Sequence, residues 1–146
     1  MGRKIKPFAM SFNPQTEYTI IPKEFPIEDF HKYKDEFVTR PPYQRKAVWS
    51  KAKKQALMDS LFRRYYVPKL VIRLVRLDDK RTVREVIDGQ QRITTVQDFF
   101  ANGYPLPKSL ADVDPGLPGT YYKDLSSDIR RFIDRELKYQ ADIIQD

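Results

Sequence analysis

Asp88-Gly89-Gln90-Gln91-Arg92 gathers a carboxylate, a glycine, paired amides and a guanidinium within one short run. Glycine removes the side chain that would keep an anion away from the backbone. The glutamines offer neutral donors, and an arginine forks onto phosphate oxygens. The run follows the β-branched Val86-Ile87 and precedes the helical spacing Ile93, Val96, Phe100. A strand that passes through a tight turn into a helix leaves free N–H groups at the positive end of the helix dipole, a place suited to a phosphate. Asp88 is the odd member. Beside an anion it repels, unless it binds a cation, orients a water or pairs with an arginine, so it is a candidate Mg²⁺ ligand and water-positioning group. The competing reading makes Asp88 only the N-cap of the helix and sends Arg92 to surface carboxylates.

Tyr43-Gln44-Arg45 is the second candidate group. It follows an extended proline segment, Pro41-Pro42, and precedes a helix carrying Lys51, Lys53 and Lys54. Arg45 can supply a second phosphate contact, and Tyr43 can stack on a base or sugar. If both belong to one site, Arg45 and Arg92 should approach the same cleft. Tyr43 and Trp49, however, read more readily as core or rim aromatics than as ligand platforms. In Arg63-Arg64-Tyr65-Tyr66, cations complementing a helix C-terminus outweigh a nucleic-acid contact. His31 has no nearby Ser, Asp or metal partner and reads as a surface or rim residue.

The elements that must position these residues follow from period and punctuation. Residues 1–25 read as an N-terminal arm with one short strand at Tyr18 to Ile21, and residues 26–146 as the domain proper. Ile27, Phe30, Tyr33 and Phe37 describe a short amphipathic helix that gives way near Val38. Ser50 caps a helix to about Arg64, with Leu57, Met58, Leu61 and Phe62 on its apolar stripe and Trp49 as a staple. Leu70 to Leu77 and Thr82 to Ile87 form a hairpin across Asp78-Asp79-Lys80. Ile93, Val96, Phe99 and Phe100 line a helix that ends near Asn102-Gly103. The Pro- and Gly-rich stretch to about Pro118 is a long loop, which suggests function or mobility. A helix over Ser127 to Asp134 precedes a final alternating strand, Leu137 to Ile144, which is left unfinished.

The chain of 146 residues is 40% hydrophobic and 32% charged, too apolar for general disorder and too polar for a membrane protein. It has no cysteine and a single histidine, which excludes disulfide frameworks, thiolate or multi-histidine metal sites and HNH-type nuclease centres. No apolar run suggests a bilayer span or a leader, so the expected location is the cytoplasm. The net charge of +7 favours polyanionic partners, nucleotides and DNA among them.

The order Pro42-Tyr43-Gln44-Arg45, Trp49, Asp59-Ser60, Pro68 and Val86-Ile87-Asp88-Gly89-Gln90-Gln91-Arg92-Ile93-Thr94-Thr95 resembles the ParB/sulfiredoxin-like domain that opens GmrSD-type, modification-dependent restriction proteins, the DUF262 family. The match is strongest from Ile27 to Phe100; Tyr121-Tyr122-Lys123-Asp124-Leu125 and the terminal strand also fit. The resemblance implies a compact α/β (α+β) domain with a small mixed sheet, a hairpin and flanking helices. It further implies a domain that binds, hydrolyses or senses a nucleoside triphosphate in bacterial defence against foreign DNA. The nucleotide-handling element maps to Asp88, Gly89, Gln90, Gln91 and Arg92, and Tyr43, Gln44, Arg45 and Thr94 complete the expected contacts. Gln90 and Gln91 stand where the ParB branch has an acid and a further arginine, which argues against ParB-like CTP chemistry. The chain stops before an asparagine-containing segment found in longer members, so the domain is expected to continue past its last strand. A nuclease domain or subunit outside this chain is an expected partner.

Three functions therefore stand side by side: a Mg²⁺-assisted NTP hydrolase or sensor, a module that grips nucleic-acid phosphate without turnover, and an interaction domain whose terminal strand pairs with a missing partner.

Overall fold

A computed structural model of the chain describes residues 3–5, 17–39 and 48–145. Among them a six-stranded mixed sheet runs in the order β1-β2-β6-β4-β5-β3. The strands are β1 (Arg3–Ile5), β2 (Tyr18–Pro26), β3 (Phe37–Val38), β4 (Leu70–Arg76), β5 (Thr82–Asp88) and β6 (Lys138–Gln145). The helices are α1 (Asp29–Lys32), α2 (Lys51–Arg63), α3 (Gln90–Phe100) and α4 (Ser127–Glu136). This is the compact α/β fold that the sequence implies. No described helix is long and apolar enough to cross a membrane.

Local signals set α2, α3, α4 and the hairpin. Ser50 caps α2, its Oγ accepting the Lys53 N–H at 3.2 Å, and Ser126 does the same for α4 through Ile129 N–H. β4 and β5 pair antiparallel from Arg76↔Thr82 to Val71↔Asp88, with a bulge between Val71 and Ile72. Apolar residues of both strands face a core shared with the helices: Leu70, Ile72 and Val86 meet Met58 and Leu61 of α2, Ile93, Val96 and Phe99 of α3, and Ile133 of α4.

Several expectations are corrected. β2 does not end at Ile21; it continues to Pro26, in register with β6 from Thr19↔Gln145 to Pro26↔Lys138. Its prolines are tolerated because β1 covers only Tyr18 to Ile20, and the rest of that edge of β2 has no neighbour among the described residues. The helix expected to reach Val38 is the short α1. Tyr33 leaves helical geometry at φ −117°, and Phe37 enters β3, parallel to β5. Phe30 and Phe37 still meet, at 4.6 Å between ring centroids, with Phe25 against both. A turn and a strand thus bring these rings together without a continuous helix, and they also give β5 a neighbour.

The terminal strand is not an open edge. β6 lies between β2 and β4, antiparallel to one and parallel to the other, with Tyr139, Ala141 and Ile143 turned into the core. The idea of an interaction domain with an unfinished strand thereby loses its basis. The Pro- and Gly-rich stretch is also no free loop. Leu106, Leu110 and Leu117 are fully buried, and Leu106 exchanges backbone hydrogen bonds with Gly119 and Thr120. Arg63 anchors its turn, reaching Asp112 at 2.8 Å and the Ser109 carbonyl at 2.8 Å.

One contact between helices carries a pH signature. The Glu28 carboxyl, just before α1, hydrogen-bonds Asp134 of α4, and this bond, with burial and the Asp134 charge, pushes its pKa up to about 7; Lys32 opposes the shift. A carboxyl raised in this way holds a proton in the folded chain that the unfolded chain has released. Its stabilisation is therefore present at pH 4 to 5 and is lost as pH rises through about 7. The carboxyls of Asp59, Asp79 and Asp112, all shifted downward, respond only at more acidic pH. The melting temperature is expected to fall by roughly 3 °C between pH 5 and pH 8 from this group. Glu28→Gln, which keeps a donor without the charge, should flatten that slope in a calorimetric pH series; an unchanged slope would show that the pair does not share a proton.

Candidate functional site

The strand-to-helix passage after β5 lies where sequence placed it, but its cap differs. Asp88 is the last residue of β5, and the N-cap of α3 is Gly89, at φ 104° and ψ 14°, with no side-chain cap bond. Asp88 is therefore not the helix cap. The first N–H groups of a helix have no intrahelical acceptor, and the first turn of α3 contains no acid to offset its positive end.

Around this start lies a cleft of about 180 Å³, lined by Trp49, Lys53, Asp88, Gly89, Gln90, Gln91 and Arg92. The Asp88 side chain is 57% exposed at its mouth, with Oδ2 3.9 Å from Arg92 Nη2. Arg92 is mostly buried. Its Nη2 donates to the Lys69 carbonyl at 3.0 Å, while its Nε is buried with no hydrogen-bond partner among the described residues. Gln90 Oε1 is likewise buried and without a partner among the described residues. Gln91 turns inward, where its Oε1 accepts the Trp49 N–H at 3.3 Å. Such unpaired atoms are unusual, since buried polar groups normally find partners.

Not every expected residue arrives here. Thr94 is half-buried on α3 and is not part of the cleft wall; its neighbour Thr95 is buried, donating to the Gln91 carbonyl at 2.7 Å. Tyr43, Gln44 and Arg45 lie outside the described residues, and with them the expected meeting of Arg45 and Arg92. Conversely, sequence reading named Lys53 only as one of three lysines on its helix and set Trp49 aside as a rim or core residue. Lys53 Nζ lies 4.5 Å from the Trp49 ring centroid, and both face the cleft. The missed signal was a lysine in the first turn of a helix that has no acid there, a placement the dipole disfavours. A metal would find one carboxylate in the cleft, Asp88. Among the described residues, no group of three or more His, Cys, Asp or Glu could hold an ion. One carboxylate suits Mg²⁺ only when ligand phosphates supply further oxygens.

Gly89 is required twice over. Besides its positive φ, a Cβ on it would stand 2.3 Å from Leu70 Cδ2 and 3.1 Å from Arg92 Nη2. Gly119 offers a control: its φ is +64°, but nothing lies within 4 Å of a Cβ there. Gly119→Ala is expected to cost about 1 kcal/mol, from the backbone alone, and Gly89→Ala about 3 kcal/mol or more, because the collision adds to it. Denaturant midpoints of the two variants check this. Equal losses would remove the Leu70 approach as a constraint.

Comparison with known proteins gives one result. No curated protein and no solved structure matches the chain. The family model described as GmrSD restriction endonuclease, N-terminal domain, matches residues 27–146, which includes α2, the hairpin, the Gly89 turn and every strand from β3 onward. The context of that family is DNA restriction. The chain belongs to the family of GmrSD restriction endonuclease N-terminal domains.

Proposed function

We propose that the chain is the nucleotide-handling domain of a DNA-restriction system, binding a nucleoside triphosphate at the start of α3 and hydrolysing or sensing it there. The observation that carries this reading is electrostatic. Lys53, the Arg92 guanidinium and the uncapped start of α3 converge on one cleft, with Asp88 as its single carboxylate. Such an arrangement is self-repelling until an anion occupies it. Phosphate oxygens accept from the amides of the helix start and from Arg92, whose unpartnered Nε is available once the side chain adjusts. Asp88, at the mouth, orients water toward the bound phosphate. It is also the residue that would hold Mg²⁺ jointly with phosphate oxygens, and the ion would supply charge neutralisation. Phosphoryl transfer needs mainly positioning and charge stabilisation, which these groups provide.

A second reading is favoured by the charge of +7: the same turn grips the phosphates of a nucleic acid and performs no chemistry. The two separate on Asp88 and on salt. For a hydrolase, Asp88→Asn should lower phosphate release by about 100-fold or more while affinity changes little, because asparagine keeps the shape and removes the charge. Since Asp88 is not the helix cap, its melting temperature should not move. Arg92→Lys should instead weaken nucleotide binding by about tenfold, because an ammonium cannot make the bidentate fork. Phosphate release, calorimetric affinity and melting temperature for the wild type and both variants decide it. Full turnover in Asp88→Asn would remove the role given to Asp88. No turnover, together with steeply salt-dependent binding of DNA, would favour the second reading.

A further inference from the structure

The cleft at the start of α3, at about 180 Å³, is smaller than the roughly 300–1,000 Å³ of pockets that enclose a drug-sized ligand. It takes phosphate and leaves the rest of a nucleotide at its rim. One side of that rim is aromatic. Trp49 is half-buried and held to the cleft wall by its N–H bond to Gln91 Oε1 at 3.3 Å. Its indole carries the ammonium of Lys53, 4.5 Å from the ring centroid. Lys54, the next residue, pairs with Asp98 at 2.5 Å, whereas Lys53 has the indole in place of a carboxylate.

We infer that Trp49 and Lys53 form the second half of the ligand site: the indole stacks on the nucleobase of a nucleoside triphosphate, and the Lys53 ammonium moves from the indole onto the phosphates. The inference rests on the nucleotide-binding reading above and adds its base and second cation. A cation over a half-buried ring is held weakly compared with one hydrogen-bonded to phosphate, so a phosphate at Gly89 outcompetes the indole. Lys53 also sits in the first turn of α2, which has no acid, so the helix dipole favours its departure toward an anion. Once vacated, the indole presents a flat face beside the phosphates, which a base covers by stacking. The bond to Gln91 is made by the Trp49 backbone, so the main chain stays tied to the cleft wall whether or not Lys53 lies over the indole.

The sequence contains one tryptophan, so its emission reports this site alone. The test titrates the full chain with ATP and, separately, with inorganic tripolyphosphate, reading affinity by calorimetry and Trp49 emission together. ATP is expected to quench the emission strongly, and tripolyphosphate, which has no base, to bind with a smaller change. Trp49→Leu should weaken ATP about 5- to 100-fold and leave tripolyphosphate unchanged, while Trp49→Phe retains most of the ATP affinity. Lys53→Met should weaken both ligands and reduce the salt dependence. Circular dichroism checks the fold; if the leucine variant unfolds, the phenylalanine variant and wild-type emission decide. ATP binding that depends on Arg92 but is indifferent to both Trp49 substitutions, or that leaves the emission unchanged, overturns the inference and leaves the nucleotide reading standing. Failure of the wild type to bind either ligand overturns both.

Discussion

Leu70 packs where a side chain on residue 89 would be, its Cδ2 only 2.3 Å from a Cβ built on Gly89. That contact joins the first residue of β4 to the residue between β5 and α3, and much else depends on it. With no side chain at 89, α3 starts directly against the sheet, close enough for Arg92 Nη2 to reach the Lys69 carbonyl, one residue before β4. Tyr139 of β6 donates to the Arg92 carbonyl at 2.8 Å, tying the same turn to the central strand. The start of α3 is thus fixed from both sides while its outer face stays open. A larger residue at 89 would lift the helix from the sheet and undo all three contacts.

The sheet explains why this anchoring is firm. β6 is the last described element in sequence, yet it sits inside the sheet, holding β2 on one side and the β4–β5 hairpin on the other. Tyr139, Ala141 and Ile143 of β6 are buried, and Tyr139 also reaches α3. The burial of its tyrosine hydroxyl in a bond to a backbone carbonyl holds the phenol neutral, its pKa raised well above the ordinary value mainly by burial. The site therefore rests on contacts between the strand that ends the chain and the hairpin in its middle.

Much of this was legible locally. Ser50 as a cap, the apolar stripe of α2, the hairpin and the change of period at Gly89 each depend on neighbours within a few positions, and each stands where the pattern put it. What failed depended on partners far away in sequence. The alternation from Leu137 to Ile144 announces a strand but not its flanking partners. The seven-residue spacing of Phe30 and Phe37 fits a helix and equally a turn followed by a strand, and the free edge of β5 decides for the strand. The stretch rich in proline and glycine looked loose because its leucines, Leu106, Leu110 and Leu117, are spaced irregularly, though all three are buried. Trp49 meets Gln91 across 42 positions, a distance at which no periodicity speaks. The gathering of Asp88 to Arg92 at one strand-to-helix turn was visible from the sequence, whereas the place of Trp49 and Lys53 on the same cleft required the fold.

Arg92 shows how fold and site share one side chain. Its side chain is only 14% exposed, yet among the described residues its partners are one carbonyl and a carboxylate 3.9 Å away. Burying a guanidinium with so few partners opposes folding, and Asp88 is too exposed to offset much of that through solvent. A residue serving only the contact with Lys69 would do so at lower cost as a neutral donor. The charge makes physical sense if the balancing anion comes from outside. On the proposed reading the glycine start of α3 follows as well, since an aspartate cap would satisfy the same N–H groups and fill the place proposed for the anion. The close packing of Gly89 on Leu70 and the bond from Tyr139 to the Arg92 carbonyl hold the helix start in place against that cost.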